Sequence, residues 1–176
     1  MMTIDTMDEI CKTETYLLYL QEHIANVLVC WKEVQAKCKN MRFVYDDYVY
    51  CTLCRQIQEH DMSKLSLIEF VPYRQRFFPV DDNERAATDF QAAWEHHKKY
   101  NPHHWENWTT QTYINPYEAE INCVHMVVDW LAMARNKNND SALTYYEKQK
   151  ADIALPEWAD KLVCEICEAV REKGGA

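Results

Sequence analysis

The side chains best suited to chemistry in this sequence are its 7 histidines, most of which stand beside an acid or beside each other. His60 directly precedes Asp61, His96 precedes His97, and His103 precedes His104. His125 and Asp129 lie one helical turn apart, so a helix would present both on one face. His23 stands alone near the start. Imidazole is the commonest transition-metal ligand, and a carboxylate is its usual companion. A divalent ion in such a set activates water as a nucleophile near neutral pH. Taken singly, each histidine is an ordinary helix residue, and paired histidines beside aromatic rings can simply stack and cap. The joint order along the chain is what points to a shared cation: His, then His-Asp, then His, His and Asp. Neighbours on a helix point about 100° apart, so His60 and Asp61 can serve one ion only at a helix end or between helices.

Helices must position these residues. Gly numbers 2 and Pro 5, which disfavours turn-rich β folds and glycine-cradled phosphate loops. Leu17, Leu20, Ile24, Leu28 and Trp31 recur at steps of three and four, predicting a helix over 14–38 with His23 beside the stripe. Tyr45, Tyr48, Val49, Leu53 and Ile57 predict a second over 45–60, ending at the His60-Asp61 doublet. Ser66-x-x-Glu69 reads as a capping box opening a short helix through Phe78, with Pro79 stopping it. Asp82 and Asn83 cap a helix over about 84–99 that turns Phe90 and Trp94 inward, and Asn101-Pro102 breaks it. Asn115-Pro116 opens a helix to about Arg135. A helix over 141–151 follows a polar loop at Asn136 to Asp140, and a last one runs from Pro156 to a C-terminal glycine cap at Gly174. The prediction is all-α: one bundle of six or seven helices over 1–176, with its core at about 14–172.

Net charge is −9, which argues against binding duplex nucleic acid, while a metal cluster could still attract a small anion. No run of about 18 apolar residues exists and the N-terminus resembles no export signal, so a cytosolic protein with reduced thiols is expected and no membrane partner. Cys51-x-x-Cys54 and Cys164-x-x-Cys167 fall in predicted helices too far apart for a zinc ribbon, and read as buried, inert thiols.

The order of His and Asp resembles the HD superfamily of helical, metal-dependent phosphohydrolases. In that superfamily a lone His, the doublet and a distal Asp bind metal, which implies His23, His60, Asp61 and Asp129 here. Two intervening histidines resemble those completing a two-metal site in cyclic-dinucleotide phosphodiesterases and in the di-iron oxygenase branch. His97 and His104 fit best, with His96, His103 and His125 behind them. His60-Asp61-Met62-Ser63-Lys64 is similar to the His-Asp-x-Gly-Lys of those branches, with Ser63 in the glycine position. Glu69-Phe70-x-Pro-Tyr73-Arg74, Trp94-x-His96-His97, Asn101-Pro-His-His-Trp105-Glu106 and His125-Met-x-x-Asp129-Trp130 together resemble a family of small uncharacterised proteins common in phage and gut-bacterial genomes. That match covers about residues 20–150.

The resemblance implies hydrolysis or diester cleavage of a nucleotide or other small phosphate ester. One or two ions of Mn, Fe, Co, Ni or Zn would take part, with Asp61 and Lys64 as catalytic residues. Lys64, Tyr73 and Arg74 would hold the anionic substrate; a plain surface pairing of Arg74 with Glu69 or Asp81 is the alternative. Glu106 could steady a histidine, and Trp94, Trp105, Trp108 and Trp130 could wall the pocket or pack the core. Rival readings are a di-iron oxygenase on the same scaffold, or a non-catalytic phage protein binding a host factor or nucleotide signal. A homo-oligomer, and the host cytosol for a phage-encoded chain, complete the expectations.

Overall fold

A computed structural model describes residues 4–111, 114–135 and 139–171, and every regular element among them is helical. In chain order these are α1 (Ile4–Lys37), α2 (Arg42–Tyr45), α3 (Asp47–Gln58), a 3-10 turn (Met62–Leu65), α4 (Phe70–Phe77), α5 (Asp82–Ala87), α6 (Phe90–Tyr100), α7 (Trp105–Thr109), α8 (Pro116–Ala134), α9 (Ala142–Gln149) and α10 (Glu157–Val170). Several starts follow side-chain capping. Asp46 accepts from the Tyr48 and Val49 amides, Asn115 from Tyr117, and Ser141 from Thr144. The helix expected over 84–99 is two helices, because Asp81 caps α5 and Asp89 caps α6. The glycine cap expected at Gly174, and Asn136 of the polar loop, lie outside the described residues.

The chain divides into two compact units, each built from two separate stretches, although the sequence carries no linker. The first comprises Met1–Ile24 and Asp61–Asn101. In it α4 packs on α5, on α6 and on the 3-10 turn, and α6 also packs on that turn. Its core is a small aromatic layer of Tyr16, Leu20, Tyr73 and Ala93, backed by Tyr19, Phe70, Phe78, Phe90 and Trp94.

The second unit comprises Ala25–His60 and Pro102–Ala176. Here α8 is the central helix and packs against α2, α3, α7, α9 and α10. Its residues from Ala119 to Val128 are all buried, so it presents no solvent face over that run. Val49, Leu53 and Ile57 of α3 and Val163 and Ile166 of α10 are fully buried in the same core. Tyr45 and Tyr48, expected on the apolar stripe, are instead largely exposed.

The buried stripe of α1 also differs from the expected one. It runs through Tyr16, Leu20, His23, Val27, Cys30, Trp31 and Val34, while Leu17 is exposed. His23 is therefore within the stripe. A polar residue on the buried face had shifted the apparent periodicity toward the leucines.

Candidate functional site

The His60-Asp61 doublet lies just past the end of α3. Glu59 closes that helix, and the His60 amide still reaches back to the Ile57 carbonyl at 3.3 Å. Asp61 then turns into the left-handed region at φ 57°, ψ 14°, the one non-glycine residue with positive φ among those described. That conformation costs L-residues about 1–2 kcal/mol, less for Asp, whose short side chain tolerates it. The turn ends the helix and starts the 3-10 turn carrying Ser63 and Lys64. It also places His60 in the second unit and Asp61 in the first.

In the first unit, Asp61 is 3% exposed and gathers three basic groups. Lys64 Nζ donates to its Oδ2 at 2.6 Å, His97 Nε2 lies 3.3 Å from its Oδ1, and His23 Nε2 lies 3.7 Å from its Oδ2. The other nitrogen of His97, Nδ1, is 2.8 Å from Glu69 Oε2. Glu69 also receives Ser63 Oγ at 2.9 Å and stands 2.6 Å from His96 Nδ1. Burial alone would raise the Glu69 carboxyl, but the hydrogen bonds from His97, His96 and Ser63 outweigh it and hold it below its ordinary value. Asn101 completes the frame by donating to Ser63 Oγ at 2.6 Å and to the His97 carbonyl at 2.8 Å. Trp94 stacks on the His97 ring at 5.7 Å.

Glu69 is the residue that sequence reasoning misassigned. No capping hydrogen bond forms at α4, because the fully buried carboxylate turns to the two histidines instead. A carboxylate behind an imidazole fixes its tautomer and raises its basicity, the usual support for a metal-binding His. Its nearness to the aromatic motif Phe70-x-Pro-Tyr73 was the available signal. Glu106, the expected support, has a buried Oε2 without a hydrogen-bond partner.

In the second unit the imidazoles meet one another. His60, His103 and His125 are all buried, and each offers a nitrogen within 4.8 Å of the others'. His60 Nδ1 and His125 Nε2 are 3.0 Å apart, and the ring of His103 lies 4.7 Å from that of His60 and 4.4 Å from that of His125. Asp129 Oδ1 is 3.4 Å from His60 Nε2. His104 stands beside His103, ring to ring at 4.5 Å. Within this unit it is thus His103 and His125, ranked lower from sequence, that join His60.

The remaining expected residues are placed as follows. His96 is half-buried on α6 between Glu69 and the Tyr100 ring at 4.4 Å. Tyr73 is buried against His97 at 5.4 Å, with Lys64 Nζ 5.2 Å from its ring centre. Both terminal nitrogens of Arg74 bind Glu84, at 2.7 and 2.8 Å, rather than Glu69 or Asp81. That fork is therefore occupied, at odds with a guanidinium waiting for substrate. Trp108 lies in the core of the second unit, with Trp105 and Trp130 packed on it. Cys167 is buried and its thiol is pushed up to about 12 by burial, as expected of an inert thiol. Cys51 is exposed, at odds with that expectation, because it falls on the solvent side of α3.

Buried imidazole nitrogens converging with carboxylate oxygens are the donors that divalent transition ions take, so these groups could hold a metal ion. No cysteine joins such a group among the described residues. The molecule is an all-helical protein with buried clusters of histidine and carboxylate. Residues 12–171 match a family of unknown function, DUF5662, and the chain belongs to it. No curated protein and no solved structure matches the chain. Among the described residues, no helix is long and apolar enough to cross a membrane.

Proposed function

We propose that this protein is a metal-dependent phosphohydrolase acting on a nucleotide or another small phosphate ester. One observation carries the reading: a buried aspartate, Asp61, flanked by two imidazoles and an ammonium, with a carboxylate, Glu69, behind one of the imidazoles. His23, Asp61 and His97 would hold a divalent ion in the first unit. His60, Asp129, His103 and His125 would hold another in the second, with His104 beside them. The chain order of these residues, which resembles that of HD phosphohydrolases, supports the same reading.

A bound divalent ion supplies Lewis acidity toward a phosphoryl oxygen and activates water as a nucleophile. The protein's own groups do the rest. Lys64, already at hydrogen-bond distance from Asp61, neutralises charge on the phosphate. Glu69 fixes the orientation of the His97 ring. Asp61 is buried away from bulk water, which strengthens each of these electrostatic interactions.

The test is a phosphate-release screen over nucleotides with Mn, Fe or Co added, run beside elemental analysis of the purified chain. Release that depends on metal and is lost on Asp61→Asn supports the proposal. Bound metal without turnover on any nucleotide would point instead to a non-catalytic metal protein.

A further inference from the structure

The aromatic layer of the first unit holds two phenols: Tyr73, expected from the sequence to hold substrate, and Tyr16, to which no role has been given. Tyr16 is 1% exposed and Tyr73 5% exposed, and the hydroxyl of each is buried with no hydrogen-bond partner among the described residues. Buried tyrosine hydroxyls usually find a partner. Leaving one unsatisfied costs about 1–3 kcal/mol, and here it happens twice in one small layer.

The two hydroxyls have their surroundings in common. Burial above all, and then the charges of Asp61 and Glu69, raise both phenols. Tyr73 packs on His97 and under Lys64, whose ammonium is bonded to Asp61. Tyr16, Leu20 and His23 follow one face of α1 at steps of four and three, so Tyr16 shares its face with the imidazole that approaches Asp61. Two buried donors without acceptors therefore lie in one layer, beside the groups that surround Asp61.

Resting on the phosphohydrolase reading above, we propose that Tyr16 and Tyr73 are substrate-binding donors that, with Lys64, make the first unit selective for phosphate monoesters over diesters. A monoester presents three terminal oxygens, and Tyr16 Oη, Tyr73 Oη and Lys64 Nζ supply three donors. A diester has only two terminal oxygens and would leave one donor unmatched, and a site whose buried polar groups go unmatched rejects the ligand that lacks the partner. Neutral hydroxyls suit this place. Further ammonium groups would be neutralised by Asp61 and Glu69, whereas a phenol donates without competing for those carboxylates.

The experiment uses the full chain loaded with manganese, as wild type, Tyr16→Phe, Tyr73→Phe and the double variant. Phe keeps the ring and removes only the oxygen, so the layer stays packed. Elemental analysis gives metal content, calorimetry gives affinity for inorganic phosphate, and p-nitrophenyl phosphate and bis(p-nitrophenyl) phosphate report monoester and diester turnover. Each single variant should bind phosphate about tenfold more weakly and the double about a hundredfold. Metal content should be unchanged, melting temperature unchanged or higher, and the preference for the monoester should shrink. Unchanged phosphate affinity at full metal content overturns this assignment and leaves the hydrolase reading standing. A fall in melting temperature without metal also overturns it, since the hydroxyls would then have partners in the folded protein itself. A wild-type chain that takes up no manganese overturns the hydrolase reading, and this one with it.

Discussion

The two units solve the same problem with opposite proportions of the same residues. In the first, carboxylates surround the imidazoles: Asp61 and Glu69 hold His23, His96 and His97, with Ser63, Lys64 and Asn101 filling the remaining hydrogen bonds. In the second, imidazoles face imidazoles, with the Asp129 carboxylate 3.4 Å from His60. The first is pre-oriented by charged hydrogen bonds between polar groups. The second is pre-oriented by packing, because His125 sits within the fully buried run of α8. Nitrogen-rich sites favour zinc, nickel or copper, while carboxylate-rich sites favour manganese or magnesium. Imidazoles and carboxylates can therefore specify two metal preferences within one chain.

The largest expected effect tests whether the first unit carries the chemistry. Asp61→Asn should lower phosphate release by more than the 10–100-fold that losing a supporting partner costs, whereas His125→Gln should leave more activity; equal losses would erase the contrast. Glu69→Gln comes next. It should weaken manganese binding about 10–100-fold, measured by calorimetry, and leave a zinc equivalent bound by the second unit untouched. Conversely, zinc at a hundred times its dissociation constant should stabilise the wild type by about 2.7 kcal/mol in thermal melts, and His60→Ala with His125→Ala should abolish that gain. Arg74→Ala tests the first unit's frame apart from its ligands. It strips Glu84 of two charged hydrogen bonds and should cost about 2 kcal/mol in denaturant unfolding, with metal stoichiometry unchanged.

The smallest effect is with pH. Burial would raise the Glu84 carboxyl, but Arg74 and the Val80 amide hold it below its ordinary value of 4.5. Its contribution to stability is full above 4.5 and is lost as pH falls through the lowered native value. Glu69 behaves the same way. Acid titration followed by circular dichroism should therefore show Glu84→Gln flattening the acid limb of stability relative to wild type.

Much of the fold could be read from periodicity and caps. Asn115-Pro116, Ser141 and the stripe Val49, Leu53 and Ile57 each predict what the structure contains. The site was legible as a set of residue types, and the reasoning that a His-Asp doublet belongs at a helix end matches its position past α3. What could not be read was which way residues face. Glu69 satisfies the spacing of a capping box, and only its burial shows that its carboxylate serves histidines. His103 and His104 are adjacent, so sequence alone could not assign the buried ring to His103. The break at Thr88 was hidden because Asp89, which caps α6, sits inside the stretch that Asp82 and Asn83 were expected to open as one helix.

The left-handed backbone at Asp61 sets two separate demands on one position. The main chain there accepts Gly most readily and Asn or Asp next, since a Cβ crowds the following carbonyl and only a short polar side chain offsets this by bonding locally. The basic groups around the side chain call for a negative charge. Glu meets the second demand but not the first, and Asn or Gly the first but not the second. Asp alone among the twenty residue types satisfies both, so the backbone reversal leaves this position no conservative replacement.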